Sequence, residues 1–493
     1  MITVKRAGLA AVLAVVLSVA CFCAPAFAQW SEDVLEVAAA NRIWYDYVTD
    51  EKVMKQFASL LYPYASLAAE PALSIPDPPR QSKAVLLKDE ALEDVEFFFA
   101  LLKYGYAGYQ YFGGDERFVA AKELIVREVE EDLPRRFTTG VFENTLYKHL
   151  SFINDGHFYV GNRRYLKRQA MYMNFEYNFS RDDSGFYLDN DGDKEYIEAI
   201  NGQEPEQYMR FSLNESGEIV YRIGMLEPEG EALLRADVTL VADGSRRELT
   251  LGLEKVSSLV PEGSVYEYYR VDGIPVVSLR GSSFDSPAME KFVADAQEVR
   301  QEEAVIIDLR GNSGGDAAQM ARWLGVFTDG ATLVSPFTGA QLSTKTVREL
   351  IFKSWPVLYR VPVEILEEHV VTSETGWSEI TLGPIPERVP NDVAVVVLMD
   401  SRTVSAGEVF VEILASLDNV VLLGTNTGGR SLAGNPVETA LPNSQLRLGF
   451  GTGLQLRRDF VDREGIGLFP DFWVQPEDAV KLAVKFIENY GSR

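Results

Sequence analysis

The spacing of apolar side chains along the chain changes twice, and each change marks a different kind of element. From about 31 to 154, stretches such as LEDVEFFFALLKYGYAGYQYF and RFVAAKELIVREVEEDL place apolar residues three and four positions apart, the period of a helix buried on one side. A proline-rich break, PALSIPDPP, precedes them. Between about 158 and 265 the runs become shorter and strand-like, with turns at Asn214-Glu215-Ser216-Gly217 and at the ADGS stretch. There YIEAINGQEPEQYMRF sets a strand, an Asn-Gly turn and a short polar helix in order. From about 266 the runs IPVVSL, AVIIDL, VAVVVLM and NVVLLG are almost wholly apolar, as suits a sheet covered on both faces. Helical stretches DAAQMARWLGVF and AGEVFVEILASL lie between them, and EDAVKLAVKFIENY closes the chain, so crossover units are expected.

These patterns predict a multidomain protein. Residues 29–157 form a helical N-terminal domain, 158–265 a small mostly-β module, and 266–493 an α/β core. The aromatic residues of the helical part read as core or groove lining.

The first 28 residues read differently. Lys5 and Arg6 stand ahead of an apolar run from Ala7 to Ala24, and Ala26-Phe27-Ala28 follows, the order of a secretory signal peptide cleaved after Ala28. The run also approaches the length of a retained membrane anchor, and Cys21 offers a lipidation site, although Ser18 is a poor start for a lipobox. Cys21 and Cys23 are the two cysteines, so the processed chain would hold neither a disulfide nor a thiol nucleophile. No later segment reads as a transmembrane helix. The expected setting is extracytoplasmic, periplasmic or secreted, with no stable membrane insertion after signal removal.

Charge narrows the partners. With 47 Lys and Arg against 73 Asp and Glu, the formal charge is −26, which disfavours a nucleic-acid partner and docking on an anionic membrane. Three His and two Cys leave little material for zinc, and no metal or cofactor is expected.

Candidate chemistry gathers at strand ends. Ser405 follows VAVVVLMDSRTV and opens AGEVFVEIL, where a buried strand gives way to a helix, so its hydroxyl stands near free N–H groups of a first helical turn. The same position suits a plain N-cap serine. Asp308-Leu309-Arg310-Gly311-Asn312-Ser313-Gly314-Gly315 follows another apolar strand, and its glycines allow a turn that aims N–H groups into a concavity. A phosphate could use such a nest, but the spacing is neither of the nucleotide-binding patterns and no phosphate-binding Lys follows. A serine nucleophile needs a base, and the chain offers His149, His157 and His369. His157, in SFINDGHFYV just past a helix end, is the strongest candidate, with a core role as the alternative. Glu464, in FVDREGIGLFPD, is a candidate to orient an imidazole or a water, or a solvated turn acid; Asp155 is a second candidate orienter.

Together, DLRGNSGG at 308–315, TVSAGEVF at 403–410, GTNTGGR at 424–430, GIGLFPDFWV at 465–474 and NDGH at 154–157 resemble the C-terminal processing, or tail-specific, serine peptidases, in particular their tricorn-like, histidine-using branch. The stretch with INGQEP is similar to a degenerate PDZ module. The resemblance implies a ClpP/crotonase-like α/β core and a serine-type endopeptidase acting on peptides or proteins through an acyl-enzyme, with a processing role on exported or membrane-associated proteins. It implies Ser405 as nucleophile, three residues before Glu408; His157 as base; Glu464 as acid; and oxyanion donors at the N–H groups of Ala406 and Gly314. The classical branch carries a catalytic Lys in a segment matched here by Thr427-Gly428-Gly429-Arg430, and an arginine cannot readily give up its proton to serve as a base. In the tricorn peptidase a serine precedes the histidine, where this chain has Gly156, so Asp155 or water would help to link Glu464 to the imidazole. A noncatalytic peptide-binding or scaffold protein that keeps the peptidase fold is the competing expectation. An ester or lipid hydrolase is a weaker one, because no Gly-x-Ser-x-Gly elbow surrounds Ser405.

Overall fold

The computed structural model describes residues 29–41, 49–64, 70–78, 81–230, 233–258, 263–282, 286–330, 337–369, 376–383 and 389–492. The expected signal segment, with Cys21 and Cys23, lies outside the described residues. Five parallel strands form the centre: β1 (Ile274–Leu279), β2 (Ala304–Asp308), β3 (Ala394–Met399), β4 (Val420–Gly424) and β5 (Phe472–Trp473), adjacent in that order. Their apolar runs are explained by burial on two sides. Val305, Ile307, Val395, Val397 and Leu422 pack with helices α1 (Pro287–Val299), α2 (Ala317–Phe327) and α3 (Ala406–Ala415). The alternate residues Ile306, Val396, Leu398 and Val421 pack with Trp30 and with α4 (Ala479–Tyr490).

The sheet does not stop at β5. Ser212, in the strand Met209–Leu213, pairs with Trp473, and its hydroxyl donates to the Trp473 carbonyl at 2.6 Å. The strands of the β-rich stretch continue from there, giving 14 strands in one sheet among the described residues. They keep their own core around Tyr172, Phe179, Ile223 and Val238.

The N-terminal helices Lys88–Gly105, Gly114–Arg127 and Thr139–His149 share a core with a second sheet, built from Thr338–Ser343, Ala433–Ala440, Arg447–Leu456 and Tyr159–Val160. Tyr106 joins the two layers, with ring centroids 5.0 Å from Phe158 and 5.9 Å from Phe450. Tyr159 pairs with Gly449, and a Cβ on that glycine would lie 2.1 Å from the Tyr159 ring. This pairing carries the end of the helical segment, and with it His157, onto the α/β core. Among the described residues no helix is long and apolar enough to cross a membrane.

One buried ion cluster holds the loop after β2. Asp308 accepts from Arg310 Nε and Nη2 at 2.8 Å each and from Arg280 at 2.7 Å, while Arg310 reaches on to the Pro476 carbonyl. Burial raises the Asp308 carboxyl, but the bonds from Arg310 and Arg280 override it and hold the group at about 2. A folded pKa below the unfolded value of about 3.9 contributes stability at neutral pH and loses it as pH falls from about 4 through about 2. Replacing Asp308 with Asn leaves two guanidinium groups without their counter-charge, an expected loss of about 3–5 kcal/mol. Thermal melts at pH 7 should show a large drop for Asp308→Asn, and the gap to the wild type should shrink at pH 3; equal melting points at pH 7 would refute the assignment.

Candidate active site

Ser405 sits at the turn between β3 and α3 with φ 54° and ψ −123°, a conformation that costs a residue with a side chain about 1–3 kcal/mol. Its surroundings enforce that geometry. The Val404 N–H donates to the Asn312 carbonyl at 2.9 Å, and the Ser405 N–H donates to Glu408 Oε2 at 3.1 Å. Gly314 presses on the other side: a Cβ there would lie 2.8 Å from Ser405 Cβ and 3.2 Å from the Ala406 nitrogen. At the first position of α3, the Ala406 N–H makes no internal hydrogen bond among the described residues.

Glu408, one turn into the helix and almost wholly buried, binds more than the serine. Its Oε1 accepts from Thr427 Oγ1 at 2.6 Å and the Gly429 N–H at 2.9 Å; its Oε2 also accepts from the Arg430 N–H at 2.7 Å. The carboxylate therefore clamps the 427–430 loop to the start of α3. The sequence marks Glu408 only by its distance from the serine.

The glycine loop departs from one expectation. The Gly314 N–H, expected as an oxyanion donor, instead donates to Asn312 Oδ1 at 2.9 Å, because the loop folds back on its own asparagine. Gly315 is different: its N–H makes no internal hydrogen bond among the described residues, and a Cβ there would lie 1.7 Å from the Ser282 carbonyl oxygen. Only glycine fits that approach.

His157 lines the same cavity as Ser405, a space of about 850 Å³ also bordered by Gly156, Gly314, Gly315, Ala406 and Arg430. Nothing in local spacing announces this meeting, since the two residues arrive from different sheets. Among the described residues no hydrogen bond joins them, and His157 Nδ1 is buried without a partner. Burial, then the Arg430 and Arg164 guanidinium groups, push the imidazole down to about 4, so it is neutral at pH 7.

The two acids flank the histidine through its backbone. Asp155 accepts from the His157 N–H and from the Tyr106 hydroxyl, both at 2.8 Å. Glu464 is only 4% exposed, so it is not a solvated turn acid; it accepts from the N–H groups of Gly156 at 2.9 Å, Ser431 at 2.6 Å and Leu432 at 2.5 Å. Among the described residues neither carboxylate touches the imidazole; each binds the backbone beside it, so any link from Glu464 to the ring runs through water or the Asp155 segment, as expected for a chain with Gly156 before the histidine. Backbone donors satisfy a carboxylate as well as a ring N–H does, and here they surround it. Burial and the charge of Asp155 raise Glu464 well above the carboxylate range, and burial raises Asp155.

Three residues that sequence reading had not given these positions support the site, and of them Arg430 lines the cavity. Tyr106 holds Asp155, Asn312 holds the glycine loop, and Arg430 lies along Gly156, where a Cβ would come within 2.3 Å of Arg430 Cγ. Of the other histidines, His149 pairs with Glu128 at 2.8 Å at the end of its helix. His369 ends the helix Val363–His369 and its side chain lies outside the described residues. Among the described residues no group of three or more His, Cys, Asp or Glu could hold a metal ion.

Residues 276–474 match the model of peptidase family S41. Similar solved structures include mature CPAF, at 16% identity over 82% of this chain and 97% of that one, TM-score 0.42. The photosystem II D1 C-terminal processing protease is 16% identical over 80% of this chain and 94% of that one, TM-score 0.33. The tricorn protease is 13% identical over 82% of this chain and 37% of that one, TM-score 0.33. No curated protein matches the sequence.

If Glu408 clamps the two segments, Glu408→Gln should lose about 2–4 kcal/mol, since the amide nitrogen cannot accept from half of the donors it meets. Hydrogen exchange should quicken at the amides of Ser405, Gly429 and Arg430, and Thr427→Val should be milder. Unchanged exchange at those three amides would sink the clamp.

Proposed function

Residues 276–474 form a serine-type peptidase core of family S41, and from that premise we propose that the protein is an endopeptidase whose nucleophile is Ser405 and whose general base is His157. The observation that carries this assignment is the strained serine at the β3–α3 turn, opening into the cavity that a neutral histidine also lines. In this reading the imidazole takes the Ser405 proton as the oxygen attacks a peptide carbonyl. The Ala406 N–H, joined by that of Gly315 in place of Gly314, stabilises the oxyanion. His157 then protonates the leaving amine, and water repeats the sequence on the acyl-enzyme.

Glu464 and Asp155 act as positioning residues. Bonds to the N–H groups of Gly156 and His157 fix the backbone from which the imidazole projects. The substrates proposed are exported or membrane-associated proteins, in keeping with the signal-like order of residues 1–28, and the β-rich stretch serves as the PDZ-like module of the same chain. One observation favours the noncatalytic peptide-binding reading instead: among the described residues His157 Nδ1 has no partner to set its tautomer. Catalytic hydrogen bonds that tighten only with substrate bound are consistent with the enzyme reading.

Incubation of the processed protein with a serine-reactive phosphonate, followed by intact-mass analysis, should give one adduct, absent in Ser405→Ala and at least about 100-fold slower in His157→Ala. Labelling of Ser405→Ala at the wild-type rate would defeat the nucleophile assignment, and a folded wild type that takes no label would favour the binding protein. The pH profile supplies a further check. Because the imidazole is held at about 4, labelling should persist through pH 5 and fall only near pH 4; an acid limb near 6.5, the ordinary histidine value, would contradict the described environment.

A further inference from the structure

One hydroxyl joins the N-terminal helices to the histidine. Tyr106 stands where the helix Lys88–Gly105 ends, fully buried, and its hydroxyl donates to Asp155 Oδ2. The other oxygen of that carboxylate accepts the His157 N–H. Two bonds of 2.8 Å in series therefore run from the end of a helix to the backbone of the residue read as the general base.

Packing accounts for the ring and not for the hydroxyl. The Tyr106 ring lies against Phe112, Phe158 and Phe450, with centroids 6.3, 5.0 and 5.9 Å away, a setting that phenylalanine would fill equally well. A buried hydroxyl is costly without a partner, and Asp155 is the partner. Burial, then the charge of Asp155, raise the phenol well above its ordinary value, so it stays a donor.

The turn after the helix is shaped around that phenol. The Tyr109 N–H closes it on the Tyr106 carbonyl at 3.2 Å, and the Ala107 N–H donates to the Gly451 carbonyl at 3.0 Å, in the strand Arg447–Leu456. Gly108 lies so close that a Cβ would stand 2.4 Å from the phenol oxygen. The second sheet thus fixes the turn, the turn the phenol, the phenol the carboxylate, and the carboxylate the His157 backbone. Neither Tyr106 nor Asp155 borders the cavity shared by Ser405 and His157, so neither is placed to touch substrate.

We propose that Tyr106 is a positioning residue for the general base: acting through Asp155, it fixes the backbone from which the His157 ring projects, and so sets the rate at which Ser405 is activated rather than the affinity for substrate. Its part in the reaction rests on the peptidase reading, whereas its hold on the His157 backbone does not.

The test uses the processed protein and the phosphonate probe, with the rate at saturation, kinact, read separately from the half-saturating concentration, KI. Tyr106→Phe keeps the ring and removes the donor; it should lower kinact by about 10-fold, the low end for a bond to a charged group, and leave KI unchanged. Gly108→Ala pushes the phenol aside with Tyr106 intact. Since small misplacements slow a reaction, it should lower kinact in the same way, and it decides the matter if Tyr106→Phe does not fold. Asp155→Asn combined with Tyr106→Phe should be no slower than Asp155→Asn alone, as expected when two residues act through one contact. Phe112→Leu, which loosens packing on the ring and keeps the hydroxyl bond, should lower the melting temperature and spare kinact.

Hydrogen exchange at the His157 amide should quicken in Tyr106→Phe and in Gly108→Ala. If it does so while the folded wild type takes no label, the hold on the histidine stands and the peptidase reading falls. A Tyr106→Phe protein with the wild-type kinact, a loss confined to KI, a loss that adds in full to that of Asp155→Asn, or an equal loss in Phe112→Leu overturns the proposal, and so does unchanged exchange at that amide.

Discussion

Burial of the Glu408 carboxylate is the constraint on which the rest of the site hangs. A charge taken out of water is tolerable only when donors surround it, and the four that surround this one come from two segments, the turn at Ser405 and the loop at 427–430. Satisfying the carboxylate commits both at once. The strain at Ser405, about 1–3 kcal/mol, is held in place by the bond from its N–H to Glu408 and by the Val404 N–H on Asn312. From the same loop the chain passes directly to Ser431 and Leu432, whose N–H groups hold Glu464. Glu464 in turn grips Gly156, beside His157. Ser405 and His157 are thus linked by a relay of buried carboxylates that touches the backbone at every step.

This arrangement separates two tasks that one acid often performs together. In a triad with a carboxylate on the imidazole, the acid both positions the ring and favours its charged form. Here the acids position the backbone, while the groups that set the ring's protonation are burial and two arginines, all favouring the neutral imidazole. The ring is available to accept a proton over a wide pH range. Its imidazolium gains no support from a carboxylate contact.

The sequence reading succeeded where burial is two-sided and failed where contacts are distant. Runs such as AVIID and AVVVLM can be apolar throughout only if both faces of the strand are covered, so β2 and β3 were legible. The serine at the strand–helix junction was legible for a related reason: VAVVVLM ends and AGEVFVEIL begins within a few residues. The second sheet was not legible, because Leu448 pairs with Val160 across most of the chain and no local period records such a partner. Glu464 was found as a residue, but its backbone partners were not. A carboxylate that bonds to backbone N–H groups leaves no requirement on the side chains opposite it, hence no pattern to detect. Arg430 stood out only as the residue replacing a lysine, and its position along Gly156 depends on the same long-range assembly.

The long sheet has one narrow place. Between β5 and Met209–Leu213 the ladder amounts to a single register pair, Ser212 with Trp473, reinforced by one hydroxyl bond; β5 pairs with β4 over two residues, and the next ladders out run to five pairs each. In mechanical terms this is the line of least section in a beam. A tensile or shearing load on the β-rich stretch would meet its fewest register pairs there, and β4 and β5 would both stand between that place and the strand that leads to Ser405.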